Sequence, residues 1–337
     1  MFPLGKISPE VLERTVFRWL GSERNDVILG PSRGEDAAII QIGDYLVALK
    51  CDPISGAIDR IGWLAVNIAS NDIATMGVKP NWILSCIMLP KGSGEKVLED
   101  ICRKMDEAAK KLGISIIGGH SEITPGLDHP LVITFSAGVV EGDHFVKSGG
   151  AKSGAKIILT KGTGIEGTAI LASDRSKILE EKYGKAFVSR AKEYFEKISV
   201  VKEALLAFDF GGVSAMHDPT EGGVAGGLHE LCDAASKGFK IYEKKILVGK
   251  ETLEICRLFG IDHLNLISSG SLLITAESEK ANGIIKILQS NGIEATIIGE
   301  IVEDENKRVV IKDDGSEKKL LRPLSDDLWT ALAKKFK

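Results

Sequence analysis

Acids and histidines that could do chemistry sit in this chain of 337 residues beside glycines that interrupt apolar runs. Asp36 follows Gly34 in "LGPSRGEDAAII", next to Glu35 and directly before a strand-like run. Asp52 closes the strand candidate "DYLVALKCD", Asp72 lies near the end of a helical pattern, His120 and Glu122 follow Gly118 and Gly119, and Asp218 precedes Gly222 and Gly223. A carboxylate at the lip of a core is costly unless positive charge meets it. Like charges brought to contact repel by about 4 kcal/mol per pair at intermediate dielectric, so a gathering of these acids demands a cation. Mg²⁺ binds through carboxylates, waters and substrate phosphates, which makes metal-dependent phosphate chemistry the sharpest reading of the set. Each residue also has a plainer role. Asp36 suits a turn, Asp72 a backbone bond near a helix end, and His120 a surface position. Asp218 suits the N-cap of a helix beginning near Pro219, a role compatible with catalysis. His129, His144 and His263 read as structural.

The elements that must position these residues follow from periodicity. In "DRIGWLAVNIASNDIATMGVKP" the apolar residues Ile61, Leu64, Ala65, Ile68, Ala69, Ile73 and Met76 recur at helical spacing, with Gly77 and Pro80 as the stop. Asn67 and Asn71 then share one ridge, with Asp72 a step round from them. A second amphipathic helix carries Leu98, Ile101, Cys102, Met105, Ala109 and Leu112 and ends at Gly113. "ISIIGGHSEI" and "PLVITFSAGVVEG" read as strands. The stretch "VKSGGAKSGAK", residues 146 to 156, is the best boundary, giving domains 1–148 and 149–337. The second half restarts with "AKIILT", continues through helices and the turn-rich "FGGVSAMHDPTEGG", and closes on further strands. The arrangement is α+β rather than regular alternation.

Composition narrows the classes. The chain is long enough for two cores, and 44% hydrophobic with 27% charged residues is ordinary for a globular protein. A net charge of −4 argues against nucleic-acid and membrane-surface binding. Five cysteines without CxxC spacing signal neither a disulfide framework nor a zinc knuckle. No apolar run reaches the length of a membrane span, and the expectation is a cytoplasmic protein. "GTGIEG", with Gly162, Gly164 and Gly167, matches a dinucleotide fingerprint but lacks the second strand with its acid about 20 residues on, so a tight turn, near phosphate, is preferred to a nicotinamide site. No Walker loop is present.

Taken in order, "GEDAAII", "KCDPIS", "GWLAVNIASNDIATMGVKP", "GGHSEI", "AKSGAKIILTKGTGIEG", "HDPTEGGVAGGLHEL" and "FGIDHLNLISSGSLLITA" resemble the AIR synthase (PurM-like) superfamily over nearly the whole chain, nearest to its HypE branch. The resemblance implies an N-terminal domain whose sheet forms a barrel shared with a second protomer, a C-terminal α/β domain, and ATP bound with divalent metal. It carries metal and phosphate contacts to Asp36, Asp52, Asp72, Asn71, His120 and Asp218. Two departures stand out. The resemblance implies, for the HypE branch, a tail whose terminal cysteine carries the group being dehydrated, whereas this chain ends "LAKKFK" with Cys256 as its last cysteine, so that dehydration is not the expected reaction. Glu221 stands where the branch commonly has the arginine of "DPTRGG", which favours extra metal or another substrate.

The resulting expectation is a homodimeric, Mg²⁺- or Mn²⁺-dependent enzyme acting on ATP or another phosphate ester, by hydrolysis or by transfer to an acceptor. Asp52 and Asp72 are the catalytic candidates, and Asp36, His120, Glu122, His217, Asp218 and Glu221 join them as metal candidates. Asn67, Asn71, Lys50, Lys161, Gly162 and Gly164 are the nucleotide and phosphate candidates. The alternatives are a non-catalytic nucleotide-binding partner in maturation or assembly and, behind it, an NAD(P) oxidoreductase.

Overall fold

A computed structural model of the chain describes residues 2, 4–142 and 144–335. Two units emerge: a first made of Arg24–Gly30 and Asp36–Phe145, and a second made of Met1–Glu23, Pro31–Glu35 and Val146–Lys337. The division departs from a single cut after residue 148. Helix α1 (Pro9–Thr15) and the loop that follows β1 group with the C-terminal half because side chains tie them there. Arg33 pairs with Glu10, Glu13 and Asp233, and Glu35 accepts the backbone N–H groups of Ser148 and Gly149 at 3.1 Å each. Adjacent acids Glu35 and Asp36 therefore serve different units.

The first unit is built on β1 (Val27–Leu29), β2 (Ala38–Ile42), β3 (Tyr45–Ile54), β4 (Trp82–Leu89), β5 (Ser115–Ile123) and β6 (Leu131–Val139), in the order β1-β2-β3-β6-β4-β5. All neighbours are antiparallel except β4 and β5. That parallel pair needs a crossover, which α3 (Glu95–Leu112) supplies. Gly113 ends α3 in the left-handed conformation, as its position after the last apolar residue predicts. Helix α2 (Ile61–Thr75) is buried along its entire length, packed against α3, β3 and β6. Its apolar residues are interrupted by Asn67, Ser70, Asn71, Asp72 and Thr75, so polar groups are carried into the interior on a rigid element. The helices approach so closely that a Cβ on Gly62 would lie 2.3 Å from the Ile101 carbonyl oxygen.

The second unit holds a seven-stranded sheet of β7 (Lys156–Thr160), β8 (Val213–His217), β9 (Gly238–Tyr242), β10 (Leu273–Ala276), β11 (Ala295–Val302), β12 (Arg308–Ile311) and β13 (Glu317–Lys319), ordered β13-β12-β9-β11-β7-β10-β8. Among the described residues of this sheet only β9 and β12 run parallel, so the expected α/β domain is a mixed, largely antiparallel sheet with helices, and the two units together are α+β. Between β7 and β8 come α4 (Ile165–Asp174), α5 (Ser176–Tyr183), α6 (Lys185–Lys192) and α7 (Val201–Phe210). Helix α8 (Gly223–Ala235) buries Val224, Leu228 and Leu231 against Ile157, Leu159, Phe239 and Ile298 of one sheet face. The remaining helices are α9 (Lys250–Phe259), α10 (Ser278–Ser290), which packs on β7 and β11, and α11 (Asp327–Ala333). Among the described residues, no helix is long and apolar enough to cross a membrane.

Candidate functional site

Strand alternation puts Lys50 and Asp52 of β3 on one face of the first unit's sheet, since residues two apart share a side. Helix α2 packs against β3 and delivers Asp72 to the same place: Lys50 Nζ lies 2.8 Å from Asp72 Oδ2 and 3.5 Å from Asp52 Oδ1. Asp36, just before β2, brings a carboxylate oxygen within 4.8 Å of one on Asp72. Thr75, one turn beyond Asp72, donates its hydroxyl to the Asp72 carbonyl at 2.8 Å and sits 3.4 Å from Asp36 Oδ2. Three carboxylates against one ammonium leave a formal charge of −2 in a site whose Asp72 side chain is only 4% exposed. Burial alone would push the Lys50 pKa down, but Asp72, Asp52 and Asp36 together raise it well above the ordinary lysine value. The lysine is thus permanently charged and still does not balance the acids.

The donor set fits a hard cation. It is made of oxygens only, two of them spaced to share one ion, with α2 and β3 as rigid supports. Histidine, which would have favoured Mn²⁺, does not belong to it among the described residues. His120 and Glu122 lie on β5, three inter-strand steps from β3, or roughly 14 Å at ordinary strand spacing. They bond each other at 3.2 Å on a strand exposed at every position, and Glu122 also accepts the Thr124 hydroxyl. In this chain alone they do not meet the acids, because β5 is the sheet edge. Asn67 is also spent: its amide donates to the Trp63 carbonyl of its own helix at 2.8 Å. Asn71 is fully buried beside Asp72.

In the second unit Asp218 is buried at the exit of β8. It does not cap a helix at Pro219. Gly222 and Gly223 both take positive φ, so α8 starts only at Gly223 with Gly222 as its N-cap. His217 is committed to Glu230, with Nε2 2.9 Å from Oε2. Burial pushes the Glu230 pKa up, but the Lys6 ammonium at 3.7 Å and His217 outweigh it and hold it at about 2. Glu221 accepts the Lys6 backbone N–H at 2.8 Å. Lys161 is no free phosphate ligand: it is buried against Glu203 and donates to the carbonyls of Lys197 (2.8 Å) and Ser199 (2.6 Å). The Gly164 N–H donates to the Ser268 hydroxyl at 2.6 Å, and a Cβ on Gly162 would lie 3.1 Å from the Leu247 oxygen, so this glycine turn is closed by protein.

Two acids that sequence reasoning passed over share this region. Asp326 caps α11 through the Leu328 N–H at 2.7 Å and also takes the Gly222 N–H at 2.6 Å, while burial raises its pKa to about 6. Glu166 sits inside the GTGIEG motif. Burial raises its pKa from 4.5 to about 7, the Ser269 hydroxyl partly offsets this, and Asp326 and Glu221 add to it. The folded state holds this proton more tightly than the unfolded chain. The stabilisation is therefore full below pH 4.5 and lost as the pH rises through about 7, a change of about 3 kcal/mol. Glu166→Gln is expected to flatten that decline and to gain about 2 kcal/mol at pH 8 while changing little at pH 5, read from urea midpoints at the two pH values.

The motif positions coincide with known domain families. Residues 34–140 match the AIR synthase related protein N-terminal domain, and residues 152–312 match the C-terminal domain. The chain belongs to the AIR synthase related family. Within that family it is 28% identical over 331 residues to a Methanocaldococcus jannaschii protein named for hydrogenase expression and formation, covering 96% of each chain. It is 26% identical to the carbamoyl dehydratase HypE of Escherichia coli K12, covering 86% of this chain and 84% of that one. Its fold superposes on HypE from a solved HypE–HypF complex with TM-score 0.77 and 24% identity, over 93% and 99% of the two chains. It also superposes on an Aquifex aeolicus ThiL complexed with AMPPCP and TMP, with TM-score 0.73 and 19% identity over 95% and 98%. All four members of the acid and lysine group fall in the N-terminal family domain.

Proposed function

We propose that Asp36, Asp52 and Asp72 hold Mg²⁺ and that this ion presents the phosphates of ATP for hydrolysis or transfer to an acceptor. Bound there, the ion would supply a Lewis acid for phosphoryl oxygens. The chain's own residues would supply the rest. Asp72 and Asp36 would fix the ion from α2 and the β2 entry, Thr75 would orient Asp36, and Asp52 would orient the attacking group. Lys50 would limit the repulsion among the acids, and Asn71 would keep the Asp72 end of α2 polar. Asp218, buried at the end of β8, is proposed separately as a phosphate or metal contact of the second unit. His217 and Glu221 are not, since Glu230 and the Lys6 backbone engage them. The single observation that carries the reading is three carboxylates gathered around one ammonium. The test is ADP and phosphate release from ATP, and from a panel of phosphate esters, with Mg²⁺ and with EDTA. Metal-dependent release supports the reading, and tight metal-dependent binding without release favours the second one.

That second reading is a nucleotide-binding partner in hydrogenase maturation, favoured by the relatives named for that process and by the solved HypE–HypF complex.

We infer also a homodimer through β5. Among the described residues this edge strand pairs only with β4, and it exposes Ile116, Ile117 and Ile123 beside Trp82 and Leu84 of β4, an apolar edge that invites aggregation unless a second copy covers it. Light scattering is expected to give twice the chain mass for the native protein and a single chain mass for Ile117→Lys. A monomeric native protein would refute the dimer.

A further inference from the structure

The glycine turn of GTGIEG, which the phosphate reading does not use, has a different structural consequence. The Thr163 N–H donates to the Leu247 carbonyl at 3.1 Å, and the two chain segments form a bridge at Thr163 and Val248. The Thr163 hydroxyl meets His263 Nδ1 at 2.9 Å. Val248 and His263 belong to the wall of a cavity of about 390 Å³ in the second unit, within the roughly 300 to 1,000 Å³ of small-molecule sites. Leu264 and Val310 continue the apolar wall. Opposite in character are three lysines, Lys312, Lys318 and Lys319, two of them on the edge strand β13.

The charges in this wall are unequally matched. Lys312 pairs with Glu243, and Glu317, the acid that shares β13 with the other two lysines, is turned to Lys307 at 3.0 Å. Among the described residues, Lys318 and Lys319 have no carboxylate within ion-pair distance. Asp262 is engaged in its own loop, accepting the Leu264 N–H at 2.9 Å. Burial lowers the His263 pKa, so its ring is neutral at physiological pH, and with Nδ1 taken by Thr163 it leaves Nε2 for a ligand. Apolar walls with a few convergent polar groups and an excess of cation select an amphipathic anion.

We propose that this cavity binds a small organic anion, its carboxylate, sulfonate or phosphate group held by Lys318, which lies opposite Val310 on the same sheet face, with Lys319 adding positive charge at the rim, and its apolar body resting on Val248, Leu264 and Val310. The site goes beyond the phosphate reading and stands or falls separately from it, because none of its residues belongs to the acid group of the first unit.

The test uses the full chain and two probes of similar shape: anilinonaphthalene sulfonate, which is anionic, and N-phenyl-1-naphthylamine, which is neutral. The expected result is saturable fluorescence enhancement at one site per chain, at least fivefold tighter for the anionic probe. Lys318→Glu combined with Lys319→Glu should weaken that binding at least tenfold. Both lysines are exposed, a variant collapsed to a loosely packed state would raise the sulfonate signal rather than lower it, and a native near-UV circular dichroism spectrum of the variant shows that weaker binding is not loss of fold. For the native protein, affinity for the anionic probe should also fall at least fivefold between 0.05 and 0.5 M NaCl while that for the neutral probe does not. Absence of saturable binding, equal affinity for both probes, or an unchanged affinity in the charge-reversed variant would overturn the proposal.

Discussion

Lys50→Met is expected to lower stability by about 3 kcal/mol in metal-free buffer and to recover most of that loss in millimolar Mg²⁺. Removing one partner of a buried ion pair costs about 3 to 5 kcal/mol, because the other charge is left without compensation. Here the remaining charges are three carboxylates, and the lower end of that range applies because the lysine side chain is 22% exposed. A cation that binds only the folded state stabilises it by about 2.7 kcal/mol at a hundredfold excess over its dissociation constant. The variant, freed of a competing ammonium, should bind Mg²⁺ more tightly than the native chain. Urea midpoints of both proteins in EDTA and in MgCl2 give the answer. No Mg²⁺ effect on either protein would mean that the acids answer only to the lysine.

Asp72→Asn reads the same site from the opposite side. The amide keeps the shape and removes one charge from a position inside α2 where nothing can relax to replace it. Lys50 still has Asp52 at 3.5 Å, so the fold should lose no more than about 2 kcal/mol. Phosphate release should fall by about 100-fold or more, since the ion would lose the ligand that the buried helix positions. Steady-state turnover beside a thermal melt separates these effects. Loss of activity that merely tracks loss of folded protein would assign Asp72 a structural role.

The sequence made parts of this site legible and hid others for identifiable reasons. Strand alternation and helical spacing were enough to place Asp52 at the end of β3 and Asp72 late in α2, because both elements have strong apolar periodicity. Thr75 was readable in principle, three residues beyond Asp72 on the same helix face. Lys50 carried its signal too, two residues before Asp52, although a lone lysine in a strand is more often solvated. His120 was misleading: the paired glycines before it suggested a turn into a site, whereas Gly118 and Gly119 lie within β5, and only the strand order shows that β5 is an edge. Asp218 was assigned a possible cap because proline commonly starts helices, but two glycines at positive φ delay the start of α8 by four residues. Glu166 and Asp326 gave no warning, since their shifted pKa values come from burial under chain segments remote in sequence. Lys161 likewise became structural through Glu203, distant along the chain.

If Asp36 and Asp72 act together as ligands of one divalent ion that holds nucleotide phosphate, ATP binding depends on that ion and on both carboxylates. The most direct measurement is calorimetric titration of ATP into the native protein, Asp36→Asn and Asp72→Asn, each with Mg²⁺ and with EDTA. Binding by the native chain should need Mg²⁺, and the affinity should be at least tenfold weaker in either variant. Binding of equal strength in EDTA, or unchanged affinity in both variants, would contradict it.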